Sequence, residues 1–187
     1  MRINKKTCIA TQESTMSTNI QIARYLRGTP SFAGVYDNAP PAPEHFRWGD
    51  VIICNTFGEN NRGVGHWIAM RMPIPHKQQL CQFFDPYGFQ ADDFPGTVLK
   101  GVTTDFHEWC QNASRLAGQD GAYRSNDVEL ECTASQVCGH LCCWFAKHGL
   151  PARVDGTINP PWQHLVRTMR DSGCAIGDRF VTNLVKL

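Results

Sequence analysis

The sequence predicts an α+β fold: a small central sheet, mixed or antiparallel, flanked by helices. Three observations lead there. Short apolar runs, "DVIICNT", "HWIAMRM" and "LCQFFD", are separated by stretches rich in Gly, Pro and Asn, which is how buried strands are punctuated. Longer segments with helical spacing and stop signals lie before and after them. The chain has 187 residues and 42% hydrophobic content, enough to fill one core without covalent staples. The whole of 1–187 is therefore expected to form one domain, with 1–16 set apart as a candidate disordered stretch and 151–187 as a C-terminal helical part.

The elements follow in order. "STNIQIARYLR" reads as a short amphipathic helix capped by Ser17, with Ile20, Ile22, Ala23 and Leu26 on or near one side. "GTPSFAGVYDNAPPAPEHF" is dense in turn formers and reads as a structured loop. Three strands come next: "DVIICNT", "HWIAMRM" with His66 at its start, and "LCQFFD" ending at Asp85. The loop "PYGFQADDFPG" carries Asp92 and Asp93, most simply as solvated residues. A helix is expected from Thr104 to a stop at Gly118, then a strand in the alternating "NDVELECT". "CGHLCCWFAKHG" is apolar, lacks β-branched residues and ends in Gly149, so it reads as a helix with a stop. Asn159 and Pro160 open another helix, and "DRFVTNLVKL" reads as the last.

Bulk properties exclude some classes. A formal net charge of +1 provides no single-sign field to point toward nucleic acid or a membrane surface. No run approaches membrane-spanning length, and the N-terminus lacks the apolar core of a signal peptide. Nine cysteines, an odd number without a secretion signal, favour reduced thiols in an intracellular compartment over a disulfide framework.

One cysteine has the surroundings of a nucleophile. A thiol becomes reactive as its thiolate, which a helix N-terminus or an adjacent imidazolium favours. Cys138 opens its helix, Gly139 beside it permits close backbone approach, and free N–H groups of the first turn can hold an oxyanion. If the strands after His66 and before Asp85 form a hairpin, both residues fall at one edge of the sheet. Cys142 and Cys143, a turn further on, read as core packing. Zinc is the competing reading for Cys132, Cys138, His140 and Cys142, but no second short ligand pair exists and a single helix does not easily turn His140 and Cys142 to one ion. No metal is expected. The histidines at 45, 76, 107, 140, 148 and 164 are expected at the surface or half-buried.

The ordered motifs "GVGHWIAM", "FFDPYGF" and "CGHLCCWF", with "FAGVYD" and "IICNTFG" upstream, resemble the adenovirus endopeptidase (adenain) family, relatives of the ubiquitin-like-protein (SUMO-type) proteases. The resemblance runs from about Ile20 to about Phe145. It implies the fold of that group within the papain-like superfamily. It also implies a viral cysteine endopeptidase, a thiol protease that cuts virion precursor proteins during particle maturation. In that reading Cys138 is the nucleophile, His66 the base, Asp85 its orienter and Trp67 a wall of the substrate channel, with Gly139 beside it. Removal of ubiquitin-like modifiers is the alternative activity, and a catalytically weak virion- or DNA-associated binding protein the alternative from another class.

One position departs from the family. A Gln is found there six or seven residues before the nucleophile, supporting the oxyanion; here Glu131 and Cys132 hold those places, and the nearest Gln is Gln136. An ionised Glu131 repels an oxyanion, whereas a protonated one donates to it. The resemblance also implies a viral peptide activator, DNA as a second activator, a monomer without membrane contact, and residence in the virion and host nucleus. The segment "SRLAGQDGAYRSNDV" has no cysteine for a disulfide-linked activator, and Arg115 and Arg124 are a thin basis for DNA. The chemistry itself requires no cofactor.

Overall fold

The computed structural model describes residues 17–187 other than 38, 57–64, 94–96, 100–101, 127–128, 132–135, 152, 155–156 and 173. The expectation for 1–16 lies outside the described residues. Among these, five helices pack on one five-stranded mixed sheet that does not close. The helices are α1 (Asn19–Leu26), α2 (Phe106–Leu116), α3 (Cys138–His148), α4 (Pro160–Ser172) and α5 (Cys174–Leu184). The sheet runs β1 (Phe32–Tyr36), β2 (Val51–Asn55), β3 (Trp67–Arg71), β4 (Cys81–Phe84) and, at the far edge, β7 (Tyr123–Ser125). Two small hairpins stand apart, β5 (Thr97–Leu99) with β6 (Val102–Thr104) and β8 (Arg153–Val154) with β9 (Thr157–Ile158). None of the described helices is long and apolar enough to cross a membrane.

The apolar runs are continuous because the sheet is covered on both faces. Side chains alternate along a strand, and here each set has its own layer. Val51, Ile53, Trp67, Ala69 and Phe84 face α1, α3, α4 and α5. Ile52, Cys54, Ile68, Met70, Cys81 and Phe83 face α2. Pairing of β2–β3 and β3–β4 is antiparallel, while both outer pairs, β1–β2 and β4–β7, are parallel.

Helix α3 is fixed on β3 at both ends. Near its start, Cys142 Sγ donates to the Trp67 carbonyl at 3.3 Å. Near its end, Arg71 Nη2 donates to the carbonyls of Phe145 (3.2 Å) and Ala146 (2.9 Å), a cation where the helix dipole is negative. Four steps of strand from Trp67 to Arg71 span about 13 Å and four helical steps from Cys142 to Ala146 about 6 Å; the long Arg71 side chain reaches back over the difference. Gly149 ends the helix with φ of 75°, the left-handed region that Gly enters without a Cβ penalty. Its carbonyl accepts from Trp162 Nε1 at 2.9 Å, tying α4 to the same corner.

Several expectations are corrected. Thr18, not Ser17, caps α1 through a capping box with Gln21, while Ser17 is buried. Ile20 is an exposed residue of α1; Ile22 and Leu26 carry its packing. The loop after α1 contains β1, an apolar run masked by the Gly- and Pro-rich sequence around it and paired on one edge only. Helix α2 starts after Asp105, whose carboxylate accepts the Glu108 N–H; Thr104 belongs to β6. "NDVELECT" forms no strand among its described residues. The edge strand β7 lies just before it, and Leu130 and Glu131 donate their N–H groups to the Pro86 carbonyl. The last helix begins earlier than expected, at Cys174.

Candidate active site

His66 precedes β3 and Asp85 follows β4. Their antiparallel pairing, with Ala69 opposite Phe84 and Met70 opposite Phe83, brings the two ends to one edge. There His66 Nε2 lies 2.8 Å from Asp85 Oδ1. The tight approach before His66 depends on Gly65, where an added Cβ would lie 1.8 Å from Asn55 Oδ1. The Thr56 N–H holds the His66 carbonyl at 2.8 Å. Tyr87 stacks on the imidazole with centroids 4.3 Å apart and planes 19° apart.

Asp85 is fully buried and firmly placed. Its Oδ1 also accepts the Tyr87 N–H at 2.7 Å. Asn126 holds its backbone on both sides, accepting its N–H at 2.9 Å and donating to its carbonyl at 2.6 Å. With Nε2 engaged, Nδ1 is the ring nitrogen left over; it is buried and has no hydrogen-bond partner among the described residues. A carboxylate that holds one nitrogen of an imidazole fixes its tautomer and rotation.

Cys138 is the first residue of α3 and only 7% exposed. One ring nitrogen of His66, one carboxylate oxygen of Glu131 and the Cys138 sulfur all lie within 4.8 Å of one another. The sulfur is pulled in two directions. Burial, and then the negative charge of Glu131, push the thiol well above its ordinary value, while backbone hydrogen bonds from Trp67 and Gly139 pull it down. Burial wins, and the net direction for the thiol is upward. The N-terminal position of the helix does not by itself make a thiolate here.

Glu131 does not hang in solvent. It is 1% exposed, and its Oε1 accepts the Val137 N–H at 2.9 Å. It thereby clamps the chain just ahead of Cys138. As an acceptor with a like charge facing sulfur, it is the opposite of an amide donor in an oxyanion site. Gln136 is exposed. The N–H groups of the first turn of α3 have no helical carbonyl partner and remain the donors available there.

The two other singled-out residues both meet Ser17. Trp67 is buried in the core, and its indole N–H donates to the Ser17 carbonyl at 3.1 Å, so it anchors a neighbouring segment. At Gly139 an added Cβ would lie 2.5 Å from Ser17 Cβ. The close approach that Gly139 permits is that of Ser17, packed over the start of α3.

His140 is a further correction. It is buried, not surface, with Nδ1 3.1 Å from Ser17 Oγ. Burial lowers its pKa to about 4. The half-buried or exposed expectation holds at His45, His76, His107, His148 and His164. Cys142 and Cys143 are fully buried in the core, with burial raising both thiols. Cys132 lies outside the described residues. Arg115 and Arg124 are exposed on α2 and β7, on or beside the α2 face.

Sequence reasoning did not single out Asn126, Tyr87, Gly65 or Ser17. Asn126 works on backbone 41 positions away, and nothing local announces that. Gly65, directly before the histidine in "GVGH", carried the one readable signal. No family model matches this chain.

Proposed function

We propose that this chain is a cysteine endopeptidase of the adenain type, cutting virion precursor proteins. The observation that carries the reading is the convergence of a buried Cys138 at a helix start with His66, itself held by Asp85 at 2.8 Å. The mixed sheet with the cysteine helix on one face supports the corresponding fold within the papain-like superfamily.

The chemistry follows from the proton positions. Cys138 Sγ attacks the scissile carbonyl carbon as its proton passes to His66, and Asp85 stabilises the imidazolium. First-turn N–H groups of α3 take the oxyanion. His66 returns the proton to the leaving amine, and water then hydrolyses the thioester by the same route. Burial and Glu131 raise the thiol, so the nearby imidazole of His66 is needed to take its proton. A virion and nuclear location, a peptide activator bound without a disulfide, and a monomeric state belong to the same proposal.

The test is hydrolysis. The purified chain is given peptides with internal Gly-Gly bonds, and in parallel reporters linked to ubiquitin-like modifiers. Cleavage of the peptides by the wild type and not by Cys138→Ala supports the endopeptidase. Cleavage of the modifier reporters alone moves the chain to the deconjugating side. If neither is cut, and Cys138 is alkylated no faster than Cys142 at neutral pH, the protease reading fails.

A further inference from the structure

We propose that His66, Glu131 and Cys138 form a three-ligand site for zinc, in which the ion ties up the nucleophile and keeps peptide substrate out. The exclusion of substrate rests on the endopeptidase reading above; the binding of the ion does not.

The donor set is that of a zinc site: one imidazole nitrogen, one carboxylate oxygen and one thiolate, converging from the start of β3, the segment after Leu130 and the start of α3. Zinc bonds of about 2.0–2.3 Å put tetrahedral ligand atoms about 3.4–3.6 Å apart. The three atoms here already lie within 4.8 Å of one another, so side-chain rotation of about 1 Å closes the set. A fourth position stays open for water. The mixed sulfur, nitrogen and oxygen set suits zinc and disfavours magnesium or calcium, which take oxygen alone.

Two independent features prepare the site. His66 Nδ1 is buried and has no hydrogen-bond partner among the described residues, while Nε2 is held by Asp85. This is the carboxylate–histidine–metal arrangement, in which the second-shell carboxylate fixes the tautomer and raises the basicity of the ligating nitrogen. Charge balance is the other. Thiolate and Glu131 carboxylate carry two negative charges beside a neutral imidazole, and a divalent ion brings the three ligands to zero, leaving the Asp85 carboxylate behind His66 as the one remaining charge. An uncompensated pair of charges in that place is costly. Binding converts the Cys138 thiol to a zinc thiolate and releases its proton to solvent.

Glu131 is the residue that makes the set. A Gln there would offer a neutral amide, a weak ligand for zinc. The carboxylate that opposes an oxyanion is thus well suited to a cation at the same spot.

The test uses the full chain, stripped with a chelator and titrated with zinc against a chromophoric competitor. Cobalt(II) serves as the spectroscopic probe. One equivalent should bind, with a sulfur-to-cobalt charge-transfer band that Cys138→Ala abolishes. Glu131→Gln should weaken binding by about 10–100-fold, on the scale of lost metal-site interactions. Equal affinity in wild type, Glu131→Gln and Cys138→Ala overturns the proposal. Should the variants not fold, the wild type still decides. Zinc must protect Cys138, mapped by mass spectrometry, from iodoacetamide, and unprotected labelling sinks the site. A chain that cuts peptides but binds no zinc loses this inference alone. A chain that shows the cobalt–thiolate band but cuts nothing loses the endopeptidase reading alone.

Discussion

The two faces of the sheet each bury three free cysteines among the described residues. On the α2 face these are Cys54, Cys81 and Cys110; on the α3 face, Cys138, Cys142 and Cys143. The α2 set is surrounded by apolar side chains and by other sulfur, as where Cys110 lies 3.8 Å from Met70 Sδ. Burial raises the thiols of Cys54 and Cys110, as it does those on the other face. Burial therefore does not separate the reactive candidate from the packing residues. What separates them is polar company: on the α3 face alone, a histidine held by a carboxylate reaches one sulfur. A buried cysteine is a small hydrophobe until a proton acceptor is built beside it.

The largest test of that contrast is Asp85→Asn. The amide keeps the shape but no longer favours the imidazolium or the productive tautomer. The rate of peptide hydrolysis should fall by about 10³–10⁴-fold, read as kcat on a fluorogenic peptide, with the thermal melt reporting whether the fold survives. An unchanged rate would remove Asp85 from the machinery.

The second test concerns acid. His140 is neutral in the fold with a pKa lowered to about 4 from 6.5. Above 6.5 it is neutral in both folded and unfolded chains and contributes nothing to the pH dependence. As pH falls from 6.5 toward 4, the unfolded chain binds the proton and the folded one does not, so stability is lost. The loss attributable to this group reaches about 3 kcal/mol. Urea denaturation across that window should show a steeper decline for wild type than for His140→Asn. Parallel slopes would mean that His140 is not held neutral.

A smaller effect is expected at Glu131→Gln. The amide keeps an oxygen for the Val137 N–H but removes the like charge that raises the Cys138 thiol. Alkylation of Cys138 at a fixed neutral pH should speed up by roughly tenfold, the order of one pKa unit of relief. No acceleration would show that burial alone sets the thiol. Smallest of all is Cys110→Ala on the other face. It should cost about 1–2 kcal/mol in a thermal or chemical melt and leave peptide hydrolysis unchanged. A large loss of activity there would erase the distinction between the two layers.

The legible parts of the sequence were those with a strong local period. The runs at β2, β3 and β4 and the apolar α3 with Gly149 at its end were readable because core-facing strands and stopped helices carry their own signals. Edge elements were not. β7 has three residues, and β1, though apolar in "FAGVY", is paired on one side only and sits in a stretch dense in Gly and Pro that reads as a loop. Caps were missed by a residue or two, since Ser17 and Thr18 are equally good caps by type. Only the packing of Ser17 on Gly139 and His140 decides between them.

The amino-acid sequence by itself determined the α+β class, the central strands and the place of Cys138 at a helix start, because each follows from spacing within a few residues. It also placed His66 and Asp85 at the ends of neighbouring strands. Only the tertiary structure decided that Glu131 turns its carboxylate toward Cys138, that Asn126 holds Asp85, and that Trp67 and Gly139 serve the packing of Ser17. Those contacts join residues that are far apart in the chain or depend on the path of a loop. Their energies come from burial and charge in a shared interior, which no local pattern records.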